Sequence, residues 1–306
     1  MRIDLEVSLD PTLGCGQAHR WHRMEDGSWE GVWRDDVVVM RQVDPYTIDV
    51  EGTGDRIGIT RYLGGDDDLE DIIKGISERD PYVGGLAERC PGLRIMRQDH
   101  WECLATYLLA TNANVARIGK MVESVCDHFG KDLGRRHAFP TPGQILDGSE
   151  CISECRLGFR EQRFITLAEK VESGEIDVES FAEMGYEECV AALQDINGVG
   201  PKVADCVALF AYEHMDAFPI DARISKAMES VYGVTGSYRT VSGYGREKFG
   251  RYAGYAQEFL YHAEFIDVRS RDRDTLFGPL SRPCSSLQGC SPSPRQGALS
   301  RPTSWP

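Results

Sequence analysis

Lys202 follows a glycine turn and a helix-starting proline in the run Ile196-Asn197-Gly198-Val199-Gly200-Pro201-Lys202-Val203-Ala204-Asp205-Cys206. The positive end of a helix dipole favours a carboxylate over a cation. Lys202 is therefore either an ordinary surface charge or an amine placed to react or to meet an anion. A charged amine is a poor nucleophile, and burial beside a helix N-terminus would disfavour the charge. Cys206, four positions on, shares the helical face of Lys202. Asp221 comes nineteen positions after the lysine, in Ala217-Phe218-Pro219-Ile220-Asp221-Ala222-Arg223-Ile224. It stands where a new helix begins, so a helix cap is its commonest role and a catalytic carboxylate the sharper one.

The elements that must position these groups read as two helices joined by a glycine hairpin. Phe181, Val190, Leu193 and Ile196 predict an amphipathic helix that stops at Asn197-Gly198-Val199-Gly200, and Val203, Val207 and Phe210 predict a second that restarts at Pro201. Gly198 and Gly200 allow a tight turn and the close approach of another chain, and the free N–H groups at the next helix start suit a phosphate. A tight loop between packed helices explains the glycines equally well.

Upstream, β-formers and turn residues predict an antiparallel sheet over roughly the first 95 residues. Trp29-Glu30-Gly31-Val32-Trp33, a turn at Arg34-Asp35-Asp36 and Val37-Val38-Val39-Met40 form a hairpin; Tyr46 to Val50 adds a strand, and Asp67 to Glu78 a helix. From Asp99 the period becomes helical. Trp101, Leu104, Tyr107 and Leu108 make one stripe, and Val115, Ile118, Met121, Val122, Val125 and Phe129 another, with a polar break at Ala110-Thr111-Asn112-Ala113-Asn114. Helices are expected from Thr141-Pro142 and over Glu161 to Val171. The chain is thus expected to be α+β: an N-terminal antiparallel β domain over 1–96, a helical core over 97–270 with the hairpin at about 180–215, and a disordered tail over 271–306. That tail is rich in proline, serine and arginine and has no acidic residue after Asp274, which suggests a frame-shifted or otherwise atypical end.

At 306 residues and 41% hydrophobic composition, the chain can bury two or three compact cores. Its N-terminus, MRIDLEVSLDP, has no basic segment followed by an apolar run, and no stretch nears the roughly 18 apolar residues of a membrane span. These features predict a soluble, cytoplasmic protein, nucleoid-associated in a prokaryote. The ten cysteines lack CxxC or Cys/His metal spacing and read as free or buried thiols. A net charge of −15 argues against binding a polyanion, because nucleic-acid affinity comes largely from Lys and Arg neutralising phosphates. Contacts through backbone dipoles, blind to base sequence, partly answer that objection. Acidic patches such as Asp66-Asp67-Asp68, with arginine outnumbering lysine, suggest a salt-rich, halophile cytoplasm; a moderately acidic mesophile is the alternative.

Lys202 after the hairpin, then Val-Ala-Asp-Cys, then Pro-Ile-Asp ending at Asp221, resembles the helix-hairpin-helix (HhH-GPD) DNA glycosylase superfamily, in its 8-oxoguanine branch. The likeness runs by segments over most of residues 13–265. Gly16-Gln17-Ala18-His19-Arg20-Trp21, Gln98-Asp99 with Glu102-Cys103-Leu104, Asn112 to Ile118, Leu157-Gly158-Phe159-Arg160 and Tyr255 to Tyr261 follow in family order.

The resemblance implies a TBP-like β domain before the glycosylase core and an enzyme with glycosylase and AP lyase activity on damaged double-stranded DNA, working as a monomer. It implies that Lys202 attacks the sugar C1′ of a flipped nucleotide, that a Schiff base forms and that β-elimination nicks the strand. Asp221 would stabilise positive charge on the sugar. The Gly16 carbonyl would read the N7 hydrogen of the oxidised base, Gln257 its pairing edge, and Cys206 and Tyr261 would sandwich the ring. Asn112, Arg117 and Arg160 would hold the widowed cytosine, with Phe159 as wedge; Gly198, Gly200 and Arg223 would meet DNA. Carbonyls of Gln194, Ile196 and Val199 would hold a structural K+ or divalent cation, and no cofactor would serve the chemistry. The chain departs from the family's usual residues at Asn197 (proline), Ala113 (within an asparagine triplet), Arg223 (histidine) and Tyr261 (phenylalanine). Other branches of the superfamily often lack the lysine or carry four cysteines beyond the aspartate. No cysteine lies here between Cys206 and Cys284, and only Cys290 follows, so that iron–sulfur cluster cannot form. A non-catalytic helix-hairpin-helix module would need the hairpin, but not Lys202, Asp221, Gly16 and Gln257 together.

Overall fold

The computed structural model describes residues 1–263. The predicted 271–306 tail, and the predicted core beyond 263, lie outside the described residues. Five antiparallel strands, β1 (Arg2–Asp4), β2 (His22–Arg23), β3 (Trp29–Trp33), β4 (Asp36–Asp44) and β5 (Thr47–Glu51), form one sheet in the order β1-β5-β4-β3-β2. The expected hairpin is present, with Trp29 opposite Met40 and Trp33 opposite Asp36. Its turn is a residue shorter than expected: Asp36 already pairs, leaving Arg34 and Asp35, and Arg34 takes φ 55° to close so tight a loop. Of the two short edge strands, β1 alternates exposed, buried, exposed over its three residues, while β2 has only two. One face of the sheet, with Ile3, Val38, Met40, Ile48 and Val50 buried, packs with Ile59, Leu63 and Met96.

The helices follow as α1 (Leu9–Gly14), α2 (Arg56–Tyr62), α3 (Leu69–Arg79), α4 (Pro81–Arg89), α5 (His100–Leu109), α6 (Val115–Phe129), α7 (Pro142–Asp147), α8 (Glu161–Glu172), α9 (Tyr186–Gln194), α10 (Pro201–Phe210), α11 (Ala222–Tyr232) and α12 (Tyr238–Phe249), with α13 over 253–263. The architecture is α+β, an antiparallel sheet followed by a helical core. Among the described residues no helix is long and apolar enough to cross a membrane.

Two predicted helices change bounds. Asp67 stays outside α3, because Asp68 caps that helix while Asp67 accepts bonds from Arg97 (2.5 Å) and the Tyr255 hydroxyl (2.6 Å). Phe181 lies in a separate turn of 3-10 helix, Ser180–Glu183; extended backbone at Met184 and Gly185 separates it from α9. Ile196 lies beyond the end of α9, in the hairpin, and is still buried.

α10 is buried from Val203 through Phe210 and packs against α5, α9 and α12. A helix covered on all sides is a rigid mount. Asp205, 2% exposed on this helix, accepts hydrogen bonds from the hydroxyls of Tyr186 (2.5 Å), Tyr238 (2.5 Å) and Ser242 (3.2 Å). Those bonds satisfy a carboxylate that burial alone would penalise, and they tie the lysine-bearing helix to α9 and α12.

Candidate active site

The start of α10 fixes Lys202. Gly198 turns the chain at φ 96°, Gly200 caps the helix in extended conformation and Pro201 occupies its first turn. Lys202 is exposed. The expected burial of the amine is therefore not supplied by the protein alone, since only Pro201 and Lys202 of this helix escape the core. Asp221 caps α11 as expected: its Oδ1 accepts from the backbone N–H of Arg223 (2.9 Å) and Ile224 (2.8 Å), which fixes the carboxylate at the positive end of the helix dipole.

Lys202 and Asp221 line one cavity of about 280 Å³ together with Gly16, Cys206, Gln257, Tyr261 and Arg223. A larger depression of about 720 Å³, lined by residues such as Met215, Asp216 and Gly250, contains none of them. Gly16 needs to be glycine, because φ is 93° and a Cβ would press on Val115 at 3.3 Å. The neighbouring Gln17 anchors this loop: its amide donates to the carbonyls of Thr12 and Arg94 (both 2.9 Å) and accepts from Met96 N–H (2.8 Å). Its own carbonyl accepts from the Tyr107 hydroxyl (3.1 Å). On the opposite wall, the Arg223 guanidinium lies 5.1 Å from the centre of the Tyr261 ring, a cation–π contact. Burial pushes the Cys206 thiol up to about 12, against the opposing pull of Lys202, so it faces the cavity as a neutral, polarisable group. An amine, a carboxyl group and a cavity with polar and aromatic walls are thus set together.

Residues 2–104 match the 8-oxoguanine DNA glycosylase, N-terminal domain family. The chain is 30% identical to N-glycosylase/DNA lyase OGG1 of Arabidopsis thaliana, over 92% of this chain and 82% of that protein. The solved structure of MBOgg1 with a low-affinity DNA ligand is 32% identical, with a TM-score of 0.80 over 87% of this chain and 94% of its own. The chain belongs to the 8-oxoguanine DNA glycosylase family. A second structure agrees: Clostridium acetobutylicum 8-oxoguanine glycosylase/lyase, bound to double-stranded DNA with cytosine opposite 8-oxoguanine, has a TM-score of 0.81 at 29% identity, over 86% of this chain and 93% of its own. Membership makes this protein an enzyme, a DNA glycosylase with AP lyase activity.

The other family positions lie outside the cavity. Asn112 takes φ 54° in the loop between α5 and α6, and Arg117 is exposed on the first turn of α6. Phe159 is 56% exposed, with the guanidinium groups of Arg160 and Arg163 at 4.3 and 5.6 Å from its ring centre. Arg160 is buried and donates to the carbonyls of Thr111 (2.9 Å) and Leu157 (3.2 Å), holding the loop that carries Asn112. Of the hairpin glycines only Gly198 has positive φ; there a Cβ would sit 2.8 Å from Arg163 Cδ and 2.9 Å from Leu108 Cδ1. Gly200 has φ −94° and open space around it. The tight turn expected of both glycines is therefore made by the first.

Two groups in the cavity were not singled out from the sequence. His19 lines it with both ring nitrogens shielded and without a partner, and burial, aided by Lys202, lowers its imidazole to about 4. Glu258 lines it with Oε2 unpartnered. Each lies within a run already quoted, yet only the fold shows that their polar atoms are enclosed.

Proposed function

We propose that this glycosylase excises 8-oxoguanine opposite cytosine through a Schiff base on Lys202 and nicks the strand by β-elimination. The observation that carries this reading is the convergence of Lys202 and Asp221 on one cavity with Gly16, Cys206, Gln257 and Tyr261. Unstacking a nucleotide costs a few kcal/mol, which contacts in the cavity offset. With the base enclosed, Lys202 Nζ attacks C1′, the bond from C1′ to the base breaks and its electron pair leaves with the base. The proton shed by the nitrogen balances the one the base takes up. Opening of the C1′–O4′ bond gives the Schiff base; loss of a C2′ proton then expels the 3′ phosphate. Asp221, fixed by its two capping bonds, stabilises positive charge on the sugar without reorganising. Because Lys202 is exposed in the free protein, DNA completes the desolvation of its amine.

The Gly16 carbonyl reads N7–H, Gln257 the pairing edge, and Cys206 and Tyr261 sandwich the ring. Asn112 and Arg117 receive the widowed cytosine, Arg160, buried and bonded to the Thr111 and Leu157 carbonyls, positions the loop that carries Asn112 in place of the base contact expected of it, and Phe159 fills the gap in the stack. Gly198, Gly200 and Arg223 approach the phosphates. The carbonyls of Gln194, Ile196 and Val199 would hold a K+ or divalent cation, which would supply positive charge at the hairpin and take no part in the bond-breaking steps. The all-oxygen donor set suits such a hard ion, and Ile196 O, accepting from Val199 N–H at 3.0 Å, keeps a second lone pair. Lys202→Gln is expected to reduce both excision and nicking of an 8-oxoguanine·cytosine duplex to background in a gel assay, with duplex affinity kept. Retained excision would assign the attack to water.

A further inference from the structure

Buried polar atoms without partners are few in folded proteins, because each forfeits its hydrogen bonds to water. Here His19, Gln257 and Glu258 all carry them and all line the same cavity. The proposed reading gives Gln257 the pairing edge of the base and leaves Glu258, the next residue along α13, without a role. Glu258 is 4% exposed. A structural carboxylate so buried would be expected beside a cation. Among the described residues, the groups acting on this one are the Cys15 thiol, whose contact favours the ionised form, and Asp221, which is of like sign; Lys202 and Arg223 line the cavity but are not among them. Burial with no cation acting on it favours the neutral carboxyl, which can donate a hydrogen bond that a carboxylate cannot.

We propose that Glu258 is a specificity-determining residue of the base cavity: it presents a neutral carboxyl whose O–H donates to a carbonyl oxygen of the extruded purine. This rests on the proposed base-excision reading and adds a discrimination to it, since a purine without a carbonyl oxygen, such as an alkylated adenine, cannot accept that bond. Burial, with Asp221 adding to it, raises the Glu258 carboxyl from 4.5 to about 7. It is therefore neutral below about pH 7 and ionised above, where it would repel the purine oxygen. The other titratable groups facing the cavity on neighbouring elements are shifted away from this window. Burial raises Cys15, Tyr107 and Tyr261 well above it and Cys206 to about 12, while His19 lies at about 4. Lys202, Asp221 and Arg223 also line the cavity.

The test is binding in the Lys202→Gln background, which removes turnover and the lysine. Affinity is measured from pH 6.5 to 8.5 for a duplex with 8-oxoguanine opposite cytosine, the matching undamaged duplex, and one carrying a tetrahydrofuran abasic analogue. With Glu258 present, lesion affinity should fall about 20-fold across that range, as the competent fraction shrinks. Glu258→Gln should keep lesion affinity at pH 6.5 and lose its pH dependence, because an amide still donates. Glu258→Ala should bind the lesion about tenfold more weakly at pH 6.5, and no variant should alter abasic binding. Lesion-selective binding that is flat with pH, still pH-dependent in Glu258→Gln, or unchanged in Glu258→Ala would overturn the inference alone. Equal losses on lesion and abasic duplexes in Glu258→Ala would overturn it in favour of a structural role. Equal affinity for lesion and undamaged duplexes before Glu258 is altered would overturn the excision reading and this inference with it.

Discussion

At Asp221 the two roles open to a carboxylate at a helix start prove compatible. Oδ1 takes both capping bonds, so the cap itself holds the carboxylate against the cavity that Lys202 lines. Residue type and spacing made this pair legible, with Cys206 on the helical face of Lys202, whereas Gly16, Gln257 and Tyr261 came only from the resemblance of their runs to the glycosylase family. His19 and Glu258 were not legible as site residues. A histidine or glutamate acquires a buried, unpartnered atom only from tertiary packing, and Glu258 looks in sequence like any charge on a helix. The contact assigned to Gln257 gives a prediction at this scale. Gln257→Ala should weaken binding to an 8-oxoguanine duplex by about tenfold, the worth of a hydrogen bond to a group otherwise left unpaired, and leave binding to an abasic analogue unchanged. Equal losses on both ligands in a fluorescence titration would remove that contact.

At the scale of elements, the hairpin was readable from its glycines, but their division of labour was not, since backbone angles decide it. Gly198 carries the turn and Gly200 leaves room outside it. Gly198→Ala should lower stability by about 1–3 kcal/mol in a thermal melt, from positive φ and from crowding Arg163 and Leu108. Gly200→Ala should melt like the wild type and bind duplex DNA more weakly, because its added methyl stands only where a partner chain would approach. Equal melts for both variants, or unchanged DNA affinity in Gly200→Ala, would contradict that division. Helical periodicity located α5, α6, α8 and α10 closely, because each buries a stripe or more. It joined Phe181 to α9 wrongly, since an apolar residue one turn upstream fits the period whether or not Met184 and Gly185 let the helix continue. The two-residue strand β2 has no periodicity to read and exists through its pairing with β3.

Across the whole molecule, a net charge of −15 stood against a polyanion partner, and the fold shows how the conflict eases. Arg117 and Arg163 lie about the loops that carry Asn112 and Phe159, and Arg223 stands at the cavity, while helix starts and hairpin N–H groups offer anion contacts that need no net charge. Such a surface binds DNA locally and repels it elsewhere, so added salt screens the repulsion as well as the attraction. The burial of α10 and the cavity at its start hold an amine and a carboxylate together, and on the proposed reading they face an extruded nucleotide. Borohydride trapping tests that claim most directly, on a duplex with one 8-oxoguanine opposite cytosine, at low and high salt, with wild type and Lys202→Gln. A covalent protein–DNA adduct in the wild type, absent from Lys202→Gln, is the predicted result. No adduct at either salt from a wild-type protein that binds the duplex, or an adduct that survives loss of Lys202, would contradict the account.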